Sequence, residues 1–111
     1  NLLAFVDGQH AGNCAFNPVE DSLRVRHRCA VGIALYQKFC GMGVGTALLS
    51  EILAAAKAAG YERAELEAVS TNAPAIGLYK KLGFEVIGTM PQALRYQDGT
   101  YADFLLMTKR L

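Results

Sequence analysis

The sequence has no tryptophan, three prolines, an odd three cysteines and no excess of either charge, with eleven Lys and Arg against ten Asp and Glu in 111 residues. Each shortage removes a class of function. A formal charge of +1 gives no field for gripping a nucleic-acid backbone, and nowhere do basic residues cluster as they do in segments that hold an anionic membrane. No apolar run reaches the roughly 18–20 residues of a membrane-crossing helix, and no basic stretch followed by an apolar core opens the chain. The expectation is a cytoplasmic protein with neither nucleic acid nor membrane as partner. Cys14, Cys29 and Cys40 lack the C-x-x-C spacing of a zinc or redox site, so reduced, packed thiols and no bound metal are expected.

What the chain does have is apolar surface to bury. Hydrophobic residues make up 52% and charged residues 19%, the composition of a packed globular protein. The length suits a single domain over residues 1–111, with room for one core.

Leu2–Val6 is an apolar run ending at Asp7-Gly8, a pair that favours a tight hairpin turn, and a second strand over His10–Phe16 is closed by Asn17-Pro18. After the polar Glu20-Asp21-Ser22, Leu23–Leu35 alternates and then becomes continuously apolar at Ala30–Leu35, which predicts a strand buried on both sides there. From Gly45 to Ala59 the period changes. Leu48, Leu49, Ile52, Leu53 and Ala56 recur at helical spacing, and Gly60 stops the helix. Arg63–Val69 reads as a strand. Ala75, Ile76, Tyr79 and Leu82 mark a shorter helix, with Pro74 in its first turn and Gly83 at its end. Phe84–Thr89 and Tyr101–Thr108 have strand character around an Asp98-Gly99 turn. The order β-β-β-α-β-α-β-β predicts an α/β (α+β) fold, a mixed and mostly antiparallel sheet of about six strands with two helices.

Cys40-Gly41-Met42-Gly43-Val44-Gly45-Thr46 stands between a strand and the start of a helix, where free amides and the helix dipole favour an anion. Alternate glycines let the backbone approach a pyrophosphate with no Cβ in the way. Two common phosphate motifs fail: no lysine follows Gly45 as a P-loop requires, and counting G-x-G-x-x-G from Gly41 puts Thr46 in the last place. The same glycines would also serve a plain tight strand-to-helix junction.

Further along stands Asn72-Ala73-Pro74-Ala75-Ile76-Gly77-Leu78-Tyr79-Lys80-Lys81-Leu82-Gly83-Phe84. With this segment and the glycine loop, the chain resembles the GNAT superfamily of acyl-CoA-dependent N-acetyltransferases. The signature Q/R-x-x-G-x-G/A aligns with Cys40–Gly45, and N-x-x-A-x-x-L-Y-x-K-x-G-F is matched from Asn72 to Phe84. The resemblance covers roughly Leu23 to Leu111.

It implies a GNAT-like fold and acetyl-CoA as co-substrate, with an amine, on a small molecule or a protein, attacking the thioester directly in a ternary complex. The pantetheine arm would pair with the backbone of Ile33 and Leu35, and the Leu35 amide would stabilise the oxyanion. Cys40, Gly41, Met42, Gly43, Val44, Gly45 and Thr46 would hold the pyrophosphate, and Asn72 would contact the cofactor arm. Tyr79 matches the tyrosine that protonates the departing thiolate, although its place on the apolar stripe also fits core packing. Asn72 equally fits a helix cap.

Departures from the pattern matter too. Cys40 replaces the usual Gln or Arg, and Ala30 stands where many relatives carry glutamate. For the general base, Glu67 acting through water is named as the catalytic carboxylate, beside Glu65 and His27, all of which also read as ordinary strand residues. The family usually has a strand and two helices ahead of the segment that starts here at Asn1, so either an N-terminally short domain or an acceptor wall supplied otherwise is expected, with the bared apolar sheet covered by a second subunit in a homo-oligomer or else causing poor solubility. A catalytically silent acyl-CoA-binding module is the competing reading. Catalysis through a Cys40 thiolate is a third.

Overall fold

Turn chemistry at the start of the chain sets the first ribbon. The computed structural model describes residues 2–19, 27–35 and 43–111, with the backbone alone of Val6 and Leu35. Strand β1 (Leu2–Val6) folds back on β2 (Gln9–Pro18), and the turn residues Asp7 and Gly8 both have positive φ, 49° and 79°, as a primed hairpin turn demands. Strand β3 (Arg28–Leu35) joins antiparallel to β2 in continuous register from Pro18↔Cys29 to Gly12↔Leu35.

One expectation for this strand needs correction. The part described is Arg28–Leu35, and the expected stretch from Leu23 to Arg26 lies outside the described residues. Ala30–Leu35 is not buried on both sides: Cys29 and Val31 are buried, while Ala30, Gly32 and Ala34 are exposed. The exposed positions carry one methyl group or none, so leaving them in water costs little, and the unbroken apolar run hid an ordinary alternation.

Helix α1 (Val44–Ala58) buries Gly45, Leu48, Leu49, Ile52, Leu53 and Ala56 and packs against β1, β2 and β3. It ends at Ala59, where Gly60 donates to Lys57 and Tyr61 to Ala56. Phe16 meets Tyr61 edge-to-face at 5.7 Å. This helix and the three strands form one compact unit, residues 1–64 with 110–111. Leu49, Ile52, Cys14 and Cys29 are its largest fully buried side chains, so two of the three cysteines are packed as expected.

The second unit is Glu65–Lys109. Strand β4 (Arg63–Val69) alternates, with Ala64, Leu66 and Ala68 buried. Helix α2 (Ala73–Lys81) follows, then β5 (Glu85–Arg95) and β6 (Tyr101–Arg110) as an antiparallel hairpin. At its turn the Asp98 carboxylate accepts from the Thr100 amide at 2.9 Å and the Thr100 hydroxyl at 2.7 Å. These bonds hold the Asp98 carboxyl below its ordinary value. Strand β5 runs six residues beyond the predicted Thr89, to Arg95, because Pro91 sits where a bulge relieves it of pairing. The strands bond in the order β1-β2-β3-β4-β6-β5, the mixed six-stranded sheet with two helices that the sequence predicts.

Candidate functional site

In the first unit, the antiparallel pairing decides which way the β3 backbone faces. The Val19 amide donates to the Arg28 carbonyl at 3.3 Å, which makes 19·28 a hydrogen-bonded pair. Bonded and non-bonded pairs alternate, so Cys14·Ile33 and Gly12·Leu35 are non-bonded ones. The N–H and C=O groups of Ile33 and Leu35 therefore face the edge of β3 away from β2. His27 has the same parity and shows the effect: its carbonyl accepts from Glu62 at 2.8 Å and Arg63 at 3.0 Å on that far edge.

Helix α1 begins at Gly43, whose φ of 80° lies in the left-handed region. A β-carbon there would strain the backbone, although it would meet no atom within 4 Å. Ala47 donates to the Gly43 carbonyl at 3.1 Å as the first bond of the helical ladder. The amides of Val44, Gly45 and Thr46 thus have no acceptor within the helix, and the N-cap, a glycine, makes no side-chain cap bond. The first turn carries no acidic residue. Amides without an acceptor in the helix, the positive dipole end, the space over Gly43 and a first turn free of acidic residues fit a phosphate group. Gly45 is buried, Val44 and Thr46 are half-buried, and Gly43 is exposed. Cys40, Gly41 and Met42 lie outside the described residues.

In the second unit, Asn72 is the N-cap of α2, its side-chain oxygen accepting from the Ala75 amide at 3.3 Å. Pro74 occupies the first turn, where a missing N–H costs nothing. Tyr79 is the buried residue of this helix, its ring edge-to-face with Phe84 at 6.1 Å. The Tyr79 carbonyl also accepts from Phe84 at 3.0 Å as the chain leaves the helix. Of the candidate bases, Glu67 is exposed on β4, opposite the buried face of that strand, and Glu65 and His27 are half-buried.

Sequence reasoning passed over Asp103. Its carboxylate accepts from the Gln92 amide at 2.9 Å, and its carbonyl accepts from Ser70 at 2.9 Å, just after β4. The signal was an acidic residue inside a strand, directly before its apolar run Phe104–Met107, a place where aspartate is depleted.

A sequence model of the acetyltransferase (GNAT) family matches residues 1–84. The chain belongs to the GNAT family. Among characterised GNAT relatives, the L-amino acid N-acetyltransferase AaaT of Escherichia coli is 34% identical over 110 residues, 97% of this chain and 66% of AaaT. A GNAT acetyltransferase from Streptococcus pneumoniae superposes with a TM-score of 0.91 at 30% identity, covering 98% of this chain and 65% of that one. The protein yncA from Salmonella typhimurium, solved with its cofactor acetyl-CoA, gives a TM-score of 0.86 at 27% identity over 95% of this chain and 60% of its own. The chain therefore spans somewhat under two thirds of these relatives.

Proposed function

We propose that this protein transfers the acetyl group of acetyl-CoA to a primary amine by direct attack within a ternary complex, the 111 residues acting as one acetyltransferase domain in the cytoplasm. The observation that carries the reading is the cluster of amides without an acceptor in the helix at the start of α1, behind a glycine at φ 80°, in a chain of the GNAT family. A relative solved with acetyl-CoA adds support. So does the absence, among the described residues, of any helix long and apolar enough to cross a membrane.

The bound thioester supplies an acyl carbon open to a nucleophile and a thiolate able to leave. The amides of Val44, Gly45 and Thr46, with Gly41, Met42, Gly43 and Cys40, hold the diphosphate. Ile33 and Leu35 turn their main-chain groups away from β2, to the side of β3 on which β4 neighbours it; an extended arm pairs with them there like a strand, and the Leu35 N–H stabilises the developing oxyanion. Asn72 steadies the arm. Tyr79 gives its proton to the departing sulfur, and Glu67 takes one from the amine through water. This chemistry calls on no metal. AaaT acts on L-amino acids, so a small molecule with a free α-amino group is the first acceptor class we assign.

A silent acyl-CoA-binding module is the second reading, favoured by the packed ring of Tyr79 and by Cys40 in place of the family's Gln or Arg. Release of free CoA across a panel of amines decides between them: transfer to at least one amine is expected, and acetyl-CoA binding without release for any of them leaves the silent module. In the same assay Gly43→Val abolishes acetyl-CoA binding. Undiminished binding by that variant would remove the loop assignment.

A further inference from the structure

Helix α2 is nine residues long, too short to hold its shape in water by its own ladder, so its ends decide where its side chains stand. Asn72 closes the first end. At the other end the Gly83 amide donates to the Lys80 carbonyl and the Phe84 amide to the Tyr79 carbonyl, both at 3.0 Å, with Gly83 at φ 98°. Two such bonds around a left-handed glycine make the cap that ends many helices, and an apolar contact between the residue after the glycine and the one that accepts its amide completes it. Here those two residues are Phe84 and Tyr79. Both are buried, and their rings meet edge-to-face at 6.1 Å with 65° between the planes. A β-carbon on Gly83 would come within 2.7 Å of the Lys109 ammonium nitrogen, so a cation lies over the carbonyl end of the helix, where the dipole favours it. Every residue of this cap belongs to the second unit.

We infer that Phe84 is a positioning residue for Tyr79: through this cap it fixes the direction in which the Tyr79 hydroxyl points. The inference rests on the reading of Tyr79 as the group that protonates the departing thiolate, and deepens it. On a helix a tyrosine has two common χ1 settings, and they send the hydroxyl at the far end of the ring in different directions. A ring packed edge-to-face against one setting holds Tyr79 there before any ligand arrives, so the transfer step includes no search for it. The main-chain bond from the same residue keeps the backbone under the ring from fraying. Phe84 has no proton to give, so its share in the reaction passes through the tyrosine.

The test is a double-mutant cycle in steady-state acetyl transfer, with Phe84→Leu made in the parent and in Tyr79→Phe. Leucine keeps an apolar side chain and the main-chain bond and removes the ring. In the parent background Phe84→Leu lowers kcat about tenfold, part of the roughly hundredfold that a general acid supplies, with both KM values within about twofold. In the Tyr79→Phe background the same substitution changes kcat by less than about twofold, because the hydroxyl it would misdirect is already gone. A merely structural role would slow both backgrounds equally, and that outcome overturns the inference, as does an undiminished kcat in the parent background. In both of those cases Tyr79→Phe alone remains slow and the acid assignment stands. Tyr79→Phe at full speed removes that assignment and the inference with it. A second measurement needs no variant: NMR couplings in the parent show a single χ1 setting for Tyr79, and averaging between settings also overturns the inference. A parent inactive on every amine removes the acetyl-transfer reading itself, together with what rests on it.

Discussion

Tyr79 combines two demands in one side chain, since its ring packs edge-to-face on Phe84 and its hydroxyl is assigned the proton for the leaving sulfur. Tyr79→Phe separates them: the ring contact survives, so thermal melting changes little, while kcat falls about a hundredfold, the lower end of what a general acid contributes. A full-speed Phe variant would return Tyr79 to the core. Cys14 shows the opposite situation, a titratable group with no task. Burial pushes its thiol from the usual 9.0 up to about 11, so the folded state keeps the proton after the unfolded chain has released it. Its contribution to stability is unchanged below pH 9 and is then lost progressively as the pH climbs toward 11. Cys14→Ala abolishes that alkaline loss in denaturant titrations, whatever its packing cost at neutral pH. At this scale the sequence was partly legible. It marked Tyr79 and Asn72 through a motif, but Asp103 stayed hidden because its partner, Gln92, is eleven residues away across a bulge that no local pattern announces.

Among the elements, α2 is the one whose entry carries two assigned roles. Asn72 caps it through Ala75, and replacement by alanine removes that bond at a cost of about 1 kcal/mol. Asn72→Asp keeps the cap. If the amide also touches the cofactor arm, the Asp variant melts like the parent yet binds acetyl-CoA more weakly, which calorimetry reads directly. Helix α1 was legible almost to the residue, because its stripe from Leu48 to Ala56 is long and its stops are glycines. The strands were harder. In β3 an apolar run suggested two buried faces where the structure has one, since the second face is built from Ala30, Gly32 and Ala34. In β5 the expected strand stopped at Thr89, and the chain instead passed Pro91 in a bulge and resumed pairing at Leu94.

For the molecule as a whole, both compact units leave apolar side chains in water. Phe5 is 61% exposed and Leu3 58% on β1, and Ile87 is 65% exposed and Met90 49% on β5. Both strands lie at the ends of the strand order, where open backbone groups and apolar side chains together invite another chain. Light scattering is expected to show an apparent mass that grows with concentration, and Phe5→Lys with Ile87→Lys to reduce that growth. A stable monomer at high concentration would count against it.

The backbone phase of β3 has a consequence for how this chain can change over time. Because Ile33 and Leu35 turn the same way as His27, every second peptide group is committed to the side away from β2, where β4 is the neighbour. Loss or gain of a single codon in that stretch would turn the groups beyond it toward β2 and carry their side chains to the opposite face. Only changes in pairs would keep the edge dressed for a ligand, so natural length variants within this strand should differ by even numbers of residues.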